Sequence, residues 1–126
     1  MEKTQDFEIE KNGEEVILKE YKGNASEVVI PDCVTSIGDH AFFECDSLTS
    51  IEISSSVTSI SYSAFWECSS LRTVFYGGTS SDWSKISIGG SGNYYLTDAI
   101  RYYYSETPPT TTVNYWHYVN GKPTIW

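Results

Sequence analysis

Two adjacent segments of this chain, residues 28–50 and 51–73, are near copies of each other and align without a gap at a period of 23 residues. Eleven of the 23 aligned positions are identical. A fixed period in this range indicates a stacked-repeat fold, because a short unit can bury its apolar side chains only against a neighbouring unit. The sequence therefore predicts a solenoid, and it constrains the fold far more than it constrains the function.

The apolar pattern inside one unit predicts how each coil is built. Ile51 and Ile53 alternate with Glu52 at the period of a strand, so the two isoleucines should point inward and Glu52 outward. After a turn, residues 57–60 begin a second wall, and Phe65 fills the interior. Each repeat should therefore contribute one strand to the first wall and a second apolar stretch to the other wall.

Stacking these units predicts two rows of side chains on the first wall. Ile30, Ile53 and Tyr76 should form an inward ladder with the spacing of parallel strands, about 4.8 Å. The same register predicts an outward row of Val29, Glu52 and Phe75.

The repeat carries a family resemblance in residues 30–51, which read Ile-Pro-x-x-Val-Thr-Ser-Ile-Gly-x-x-Ala-Phe-x-x-Cys-x-x-Leu-Thr-Ser-Ile. This string resembles the BspA-like leucine-rich repeat, a 23-residue class found in bacterial and protozoan surface proteins. The second copy departs from the pattern at Ser54 and Ser61, which stand where Pro and Gly are usual. The resemblance implies a leucine-rich-repeat solenoid in a secreted or cell-surface protein, with adhesion to a protein of the host or a neighbouring cell.

The whole chain is predicted to be mainly β and to form one domain over residues 1–126. The repeats over residues 28–76 should give about two full coils plus a third strand. Two coils bury too little apolar surface to be stable alone, so both ends need caps. We expect a hairpin cap at residues 1–27, with Asn12 and Gly13 supplying the positive φ angles of its turn.

Residues 77–126 are predicted to form a C-terminal cap and tail rich in Trp and Tyr. Its short helix should have Ser80 or Ser81 as N-cap, and Asn120-Gly121 should turn a final hairpin whose last strand Pro123 confines to a sheet edge. The expected elements are a helix within 79–86, a loop at 89–92, a strand at 99–104, a linker at 107–112 and a hairpin at 115–126.

Charge and motif content exclude several classes of function. The formal net charge of −9 disfavours nucleic-acid binding, because an acidic surface repels phosphate. The sequence has no run of 18 apolar residues, so it predicts no membrane span, and no signal-peptide core follows Met1. Neither a nucleophile elbow nor a metal-ligand spacing is present, so we expect no enzyme activity, cofactor or metal.

Cysteine placement leaves two interpretations open. Cys45 and Cys68 are one period apart, so stacking makes them ladder neighbours, either as buried thiols or as a disulfide between rungs. Cys33 is expected to be exposed, which leaves intermolecular pairing open.

Two surfaces are candidates for binding. Leucine-rich repeats usually bind through the outward side chains of their parallel sheet, here Val29, Glu52 and Phe75 with Arg72 beside them. This patch is small, so a protein partner should bind weakly, or a weak homo-oligomer should double the surface. The alternative is a carbohydrate-binding module that uses C-terminal aromatic rings such as Trp116, although these rings could simply seal the last coil.

Overall fold

The computed structural model describes residues 6–110 and 114–126, and its described residues fold mainly into strands with two short helices, α1 (Ser80–Ser84) and α2 (Tyr94–Asp98). The strands are β1 (Phe7–Asn12), β2 (Glu15–Tyr21), β3 (Glu27–Val29), β4 (Ser36–Ile37), β5 (Ser50–Ile53), β6 (Ser59–Ile60), β7 (Thr73–Tyr76), β8 (Ser87–Ile88), β9 (Ile100–Tyr104), β10 (Tyr115–Val119) and β11 (Lys122–Ile125).

These strands form two sheets that share one core. The first sheet has the order β1-β2-β4-β6-β8, and the second has the order β11-β10-β9-β7-β5-β3. Successive coils pair in parallel, whereas β1 with β2 and β10 with β11 pair antiparallel as hairpins at one end of each sheet. Each repeat thus contributes one strand to each sheet, and the short strands β4 and β6 lie in the stretch that the sequence predicts only as a second wall.

The register of the second sheet follows the 23-residue period. Val29 pairs with Glu52, Glu52 with Phe75, and Ile53 with Tyr76. Ile53 and Tyr76 are buried, while Val29 is exposed and Glu52 and Phe75 are half-buried. The face of this sheet that carries Val29, Glu52 and Phe75 is called the outward face below.

A column of aromatic rings fills the interior between the sheets. Phe42 and Phe65, which occupy the same position in consecutive repeats, stack with ring centroids 4.9 Å apart and planes inclined by 4°. Tyr21 continues the stack onto Phe42 at 5.4 Å, and Phe7 packs against Tyr21 at 5.2 Å. Burial of these rings couples the first hairpin to both repeats.

Hydrogen bonds also connect the backbone of one coil to the next, and in the last coil a side chain takes the place of the backbone acceptor. The Phe42 N–H donates to the Ala64 carbonyl at 2.7 Å, whereas the equivalent Phe65 N–H donates to the side-chain Oδ1 of Asn93 at 3.0 Å. Asn93 is only 4% exposed, and its amide nitrogen donates to the Ser61 carbonyl at 2.9 Å. Asn93 therefore stands in for the backbone of an absent further repeat, since a buried N–H needs a partner.

The parallel ladder runs further than the sequence predicts. Strand β9 pairs with β7 and adds a fourth rung, in which Tyr102 lies beside Phe75, and β10 then pairs with β9. The expectation of a ladder ending at the third strand is therefore wrong. Helix α2, which the sequence did not predict, lies between β8 and β9.

Helix α1 begins one residue earlier than expected. Thr79, rather than Ser80 or Ser81, is the N-cap. Its hydroxyl accepts from the Asp82 N–H at 3.1 Å, and the Asp82 carboxylate accepts from the Thr79 N–H at 3.2 Å. This reciprocal pair is a capping box, which uses Asp at the third helical position.

The two hairpin turns differ. In the first, only Gly13 has a positive φ, 66°, because Asn12 remains in β1 opposite Glu15, so the predicted role of Asn12 is wrong. In the second, Asn120 and Gly121 have φ of 52° and 80°, as a two-residue turn with two left-handed positions requires. Of the predicted linker at 107–112, residues 111 and 112 lie outside the described residues.

Pro123 lies in β11, at one edge of the second sheet, where its missing N–H does not interrupt a ladder.

The three cysteines are free thiols in different surroundings. Cys68 is fully buried, and its thiol lies 2.9 Å from the Phe42 carbonyl. Cys45 is half-buried, so the expectation that both repeat thiols are buried is correct for Cys68 and wrong for Cys45. Cys33 is exposed, as expected.

Candidate binding groove

The C-terminal hairpin folds back onto the outward face. The Trp116 ring packs against Phe75 with centroids 5.5 Å apart, and its Nε1 donates to the Tyr76 carbonyl at 2.7 Å. Trp116 is 1% exposed. Its ring is therefore part of the interior and offers no face to a ligand in this structure.

Tyr118, two residues further along β10, reaches the middle of the outward row. Its hydroxyl donates a hydrogen bond to the Glu52 carboxylate, and its ring packs against Trp116 and Tyr104 with centroid distances of 4.9 and 6.0 Å. The side chain remains 46% exposed. Tyr118 thus closes one side of a recess in which Glu52 lies.

Burial dominates the electrostatics of this contact. Partial desolvation raises the pKa of Glu52, the hydrogen bond from Tyr118 lowers it, and the negative charge of Asp32 raises it further. Burial is also the main reason that the pKa of Tyr118 is raised, followed by its contact with Glu52. The carboxylate is therefore held in a site where its negative charge is incompletely compensated.

The recess is a groove of about 1020 Å³. Strand β3 and the residues after it form one side, the chain at 23–25 flanks it, and Tyr118 and Gly121 of the C-terminal hairpin lie on the other side. The groove carries four carboxylates and, among its lining residues in the described chain, no Lys, Arg or His. The four acids are Asp6, Glu27, Asp32 and Glu52.

The structure brings together only some of the predicted site residues. Val29 and Glu52 present side-chain surface to the groove, whereas Trp116 borders it only as a buried ring. Phe75 lies beneath Trp116 and does not line it. Arg72 lies outside it, before the start of β7, where its guanidinium donates to the Ser69 and Leu71 carbonyls at 3.0 and 3.3 Å.

Asp32 was not predicted as a member of this site, and Tyr118 was considered only as one of the C-terminal aromatic rings, not as a neighbour of Glu52. The alternation of β10 was a usable signal, because residues two apart in a strand lie on the same side and Trp116 was already a candidate. The contact with Glu52 has no local signal, since it depends on where the hairpin docks.

Within residues 6–110 and 114–126, no group of three or more His, Cys, Asp or Glu side chains is placed to hold a metal ion. Neither helix of the described chain has the length and apolar content to cross a membrane.

Two parallel ladders, joined coil by coil around an aromatic and aliphatic core, define a leucine-rich-repeat-type solenoid. A family model described as a BspA type leucine rich repeat region, in six copies, matches residues 19–88. The chain therefore belongs to the BspA-type leucine-rich repeat family. No curated protein matches it.

Among solved structures, the chain is similar to the crystal structure of a leucine rich cell surface protein from Faecalibacterium prausnitzii A2-165. The two are 23% identical with a TM-score of 0.62, and the match covers 80% of this chain. At this identity the likeness shows a shared fold. This chain spans 31% of that protein's length.

Proposed function

We propose that this chain is a non-enzymatic protein-interaction module of a secreted or cell-surface protein, and that it serves adhesion by binding a protein on a host or neighbouring cell. Leucine-rich repeat domains generally mediate contacts between proteins, and the similar solved structure is described as a cell surface protein. Both support an interaction role at the surface.

The observation that carries the proposal is the groove on the outward face. Strands β3, β5 and β10 position Val29, Glu52 and Tyr118 in it, which keeps these side chains in a fixed array. Val29 is 48% exposed beside Glu52, so the groove combines an apolar surface with a carboxylate. A rigid mixed surface of this kind suits a protein partner.

The groove is small for a protein interface, so one copy should bind weakly. Standard interfaces bury about 800 Å² on each partner. Strong adhesion would need further repeats, several copies or a weak homo-oligomer that doubles the surface. The binding assay should therefore present the chain in multivalent form.

The carbohydrate-binding alternative has less support. Sugar stacking needs an exposed aromatic plane, and Trp116, one of the C-terminal rings considered for it, is buried against Phe75 and Tyr76, whereas Tyr118 and Trp126 are partly exposed. Binding to glycans is therefore measured as the competing outcome.

The test is multivalent binding to two panels. The biotinylated chain, assembled on streptavidin, is presented to purified extracellular-matrix and host-surface proteins and, in parallel, to a glycan array. Val29→Arg places a charge at the groove, and Ile100→Arg is the matched control, because Ile100 is 54% exposed on the same sheet and does not line the groove.

We expect at least one protein to bind the natural chain, Val29→Arg to weaken that binding by about tenfold or more, and Ile100→Arg to leave it unchanged. Binding to glycans alone would support the carbohydrate alternative instead. Binding to neither panel, or equal binding by both variants, would contradict the proposed site.

A further inference from the structure

We propose that the groove receives an extended, Lys/Arg-rich segment of a protein partner, and that this segment adds a strand to the open edge of β3. The inference rests on the proposed function and specifies the chemistry of the partner. It follows from three features of the groove: a strand edge that has no neighbour in the described chain, an excess of acidic groups, and two phenol rings, of which that of Tyr118 is exposed.

Strand β3 has a neighbour on one side only within the described parts of the chain. It is the last strand in the order of the second sheet. The Ser26 carbonyl accepts from the Ser50 N–H at 3.1 Å, and the Ile30 N–H donates to the Glu52 carbonyl at 3.1 Å, so alternate residues of β3 face β5. The N–H and C=O groups of Glu27 and Val29 therefore point to the opposite side.

That opposite side is the groove, since Glu27, Val28 and Val29 all line it. Such an edge is a template for an extended peptide, whose main chain can supply the missing hydrogen bonds. Pro31, shortly after the strand, has no N–H to offer, so the pairing is limited to Glu27 and Val29. Backbone pairing this short needs additional side-chain attraction.

Charge supplies that attraction and selects the occupant. Asp32 and Glu52 lie close enough for the charge of one to affect the other, and Glu27 projects from the same face of β3 as Val29. No basic residue lines the groove in the described chain. A Lys or Arg in the added strand, at the position beside Val29, would compensate these carboxylates.

The phenol rings fit the same occupant. Tyr104 and Tyr118 both line the groove, and the exposed part of Tyr118 lies beside Glu52. An ammonium or guanidinium group binds favourably over such a ring when a carboxylate is also within reach. An acidic peptide would meet like charges at every acid in the groove.

A second copy of this chain is a poorer occupant of the edge. Pairing two β3 strands would bring two sets of Glu27 and neighbouring acids together, and like charges placed opposite each other destabilise strand pairing. The acids that attract a basic segment therefore also oppose edge-to-edge dimers.

The probe is a fluorescein-labelled, end-blocked octapeptide of alternating lysine and threonine, and its binding to the full chain is followed by fluorescence anisotropy. A peptide of alternating glutamate and threonine tests charge. A lysine peptide with N-methyl groups on alternate residues tests strand pairing, because it keeps the charge and removes main-chain donors.

The protein variant is the double change Glu27→Gln with Asp32→Asn, and its matched control is Glu20→Gln with Asp46→Asn. All four residues are exposed acids and both variants lose the same charge, but Glu20 and Asp46 do not line the groove.

We expect the lysine peptide to bind at least about tenfold more tightly than the glutamate peptide, and more weakly at about 200 mM than at about 20 mM salt. N-methylation and the groove variant should each weaken binding several-fold, and the control variant should not. Bound peptide should also slow hydrogen exchange at the amides of Glu27 and Val29, which charge attraction alone would not do.

Equal affinity for both peptides, or equal effects of the two variants, would overturn the choice of a basic partner. Binding without protection of the Glu27 and Val29 amides would overturn strand addition. Protection that appears with rising protein concentration and no peptide would mean that a second copy occupies the edge. If Val29→Arg abolishes binding in the protein panel and the lysine peptide still fails to bind, the interaction function stands and this inference falls.

Discussion

The Tyr118 hydroxyl donates a hydrogen bond to the Glu52 carboxylate and so joins the C-terminal hairpin to the repeat sheet across 66 residues of sequence. The contact has two effects. It supplies a donor to a half-buried carboxylate that the charge of Asp32 also disfavours. It also fixes one wall of the groove, because Tyr118 reaches Glu52 only when the hairpin lies against the outward face.

Removing this donor should shift the titration of Glu52. Tyr118→Phe deletes the hydroxyl but keeps the ring, so the interaction that lowers the pKa of Glu52 is lost and the effect of burial remains. We expect the pKa of Glu52 to rise above its value in the natural chain, measured by NMR titration of the side-chain carboxyl carbon. Tyr62→Phe, at an exposed ring following β6, is the control and should leave it unchanged. A fall in the Glu52 pKa in Tyr118→Phe would contradict the hydrogen bond.

The raised pKa of Glu52 also predicts a pH dependence of stability. Because this pKa is higher in the folded than in the unfolded chain, the folded state binds more protons from the ordinary value of 4.5 up to the raised value. The contribution of Glu52 to the free energy of unfolding should therefore decrease as pH rises through that window and stay constant above it. Denaturant unfolding of the natural chain and Glu52→Gln between about pH 4 and pH 7 isolates this contribution. Parallel pH profiles for the two proteins would show that Glu52 titrates alike in both states.

Two tryptophans each donate an indole N–H to a backbone carbonyl, one in the interior and one at the surface, and should contribute differently to the free energy of unfolding. The Trp116 Nε1 donates to the Tyr76 carbonyl in the interior, and the Trp126 Nε1 donates to the Ser105 carbonyl at 2.8 Å where the side chain is 40% exposed. Trp116→Phe should lower the free energy of unfolding by about 2 to 4 kcal/mol, since it leaves a buried carbonyl unpaired and opens a cavity. Trp126→Phe should change it by about 0.5 kcal/mol or less. Urea unfolding compares the two, and equal losses would mean that Trp116 is not part of the core.

The aromatic column predicts a similar contrast between neighbours in sequence. Phe65 stacks on Phe42 in the core, whereas Trp66 points to solvent from the next position. Phe65→Ala should cost about 3 to 5 kcal/mol of unfolding free energy, because it removes one ring from a continuous stack. Trp66→Ala is the control and should have a much smaller effect. A loss below about 1 kcal/mol for Phe65→Ala would be incompatible with its place in the stack.

The fold of the repeats was predictable because residues 23 positions apart lie on the same side of the sheet, inward or outward. The fold of the two ends was predictable only in part. The 23-residue period fixes that Glu52 lies between Val29 and Phe75, and the register agrees. The next rung was missed because 27 residues separate Phe75 from Tyr102, so β9 has the alternation of a strand without the repeat's spacing. The division of the chain into one domain with two caps stays a prediction.

The groove, too, was predictable only where the repeats form it. Outward pointing of Val29 and Glu52 follows from strand alternation alone. Burial of Trp116 and the contact of Tyr118 with Glu52 depend on where a hairpin that is distant in sequence folds back onto the repeat sheet, and no local spacing encodes that path. Sequence therefore predicted one wall of the groove and missed the other.

The cysteines give a prediction in which the structure changes what the sequence alone implied. The hydrogen bond with Cys45, followed by burial, raises the pKa of Cys68, while the same contact lowers the pKa of half-buried Cys45. Because the thiolate is the reactive form, iodoacetamide should alkylate Cys45 in the native protein and reach Cys68 only after denaturation. Mass spectrometry of Cys33→Ser, which removes the exposed thiol, measures the two rates separately. Rapid native alkylation of both Cys45 and Cys68 would place both thiols at the surface and contradict the burial of Cys68 next to the Phe42 carbonyl.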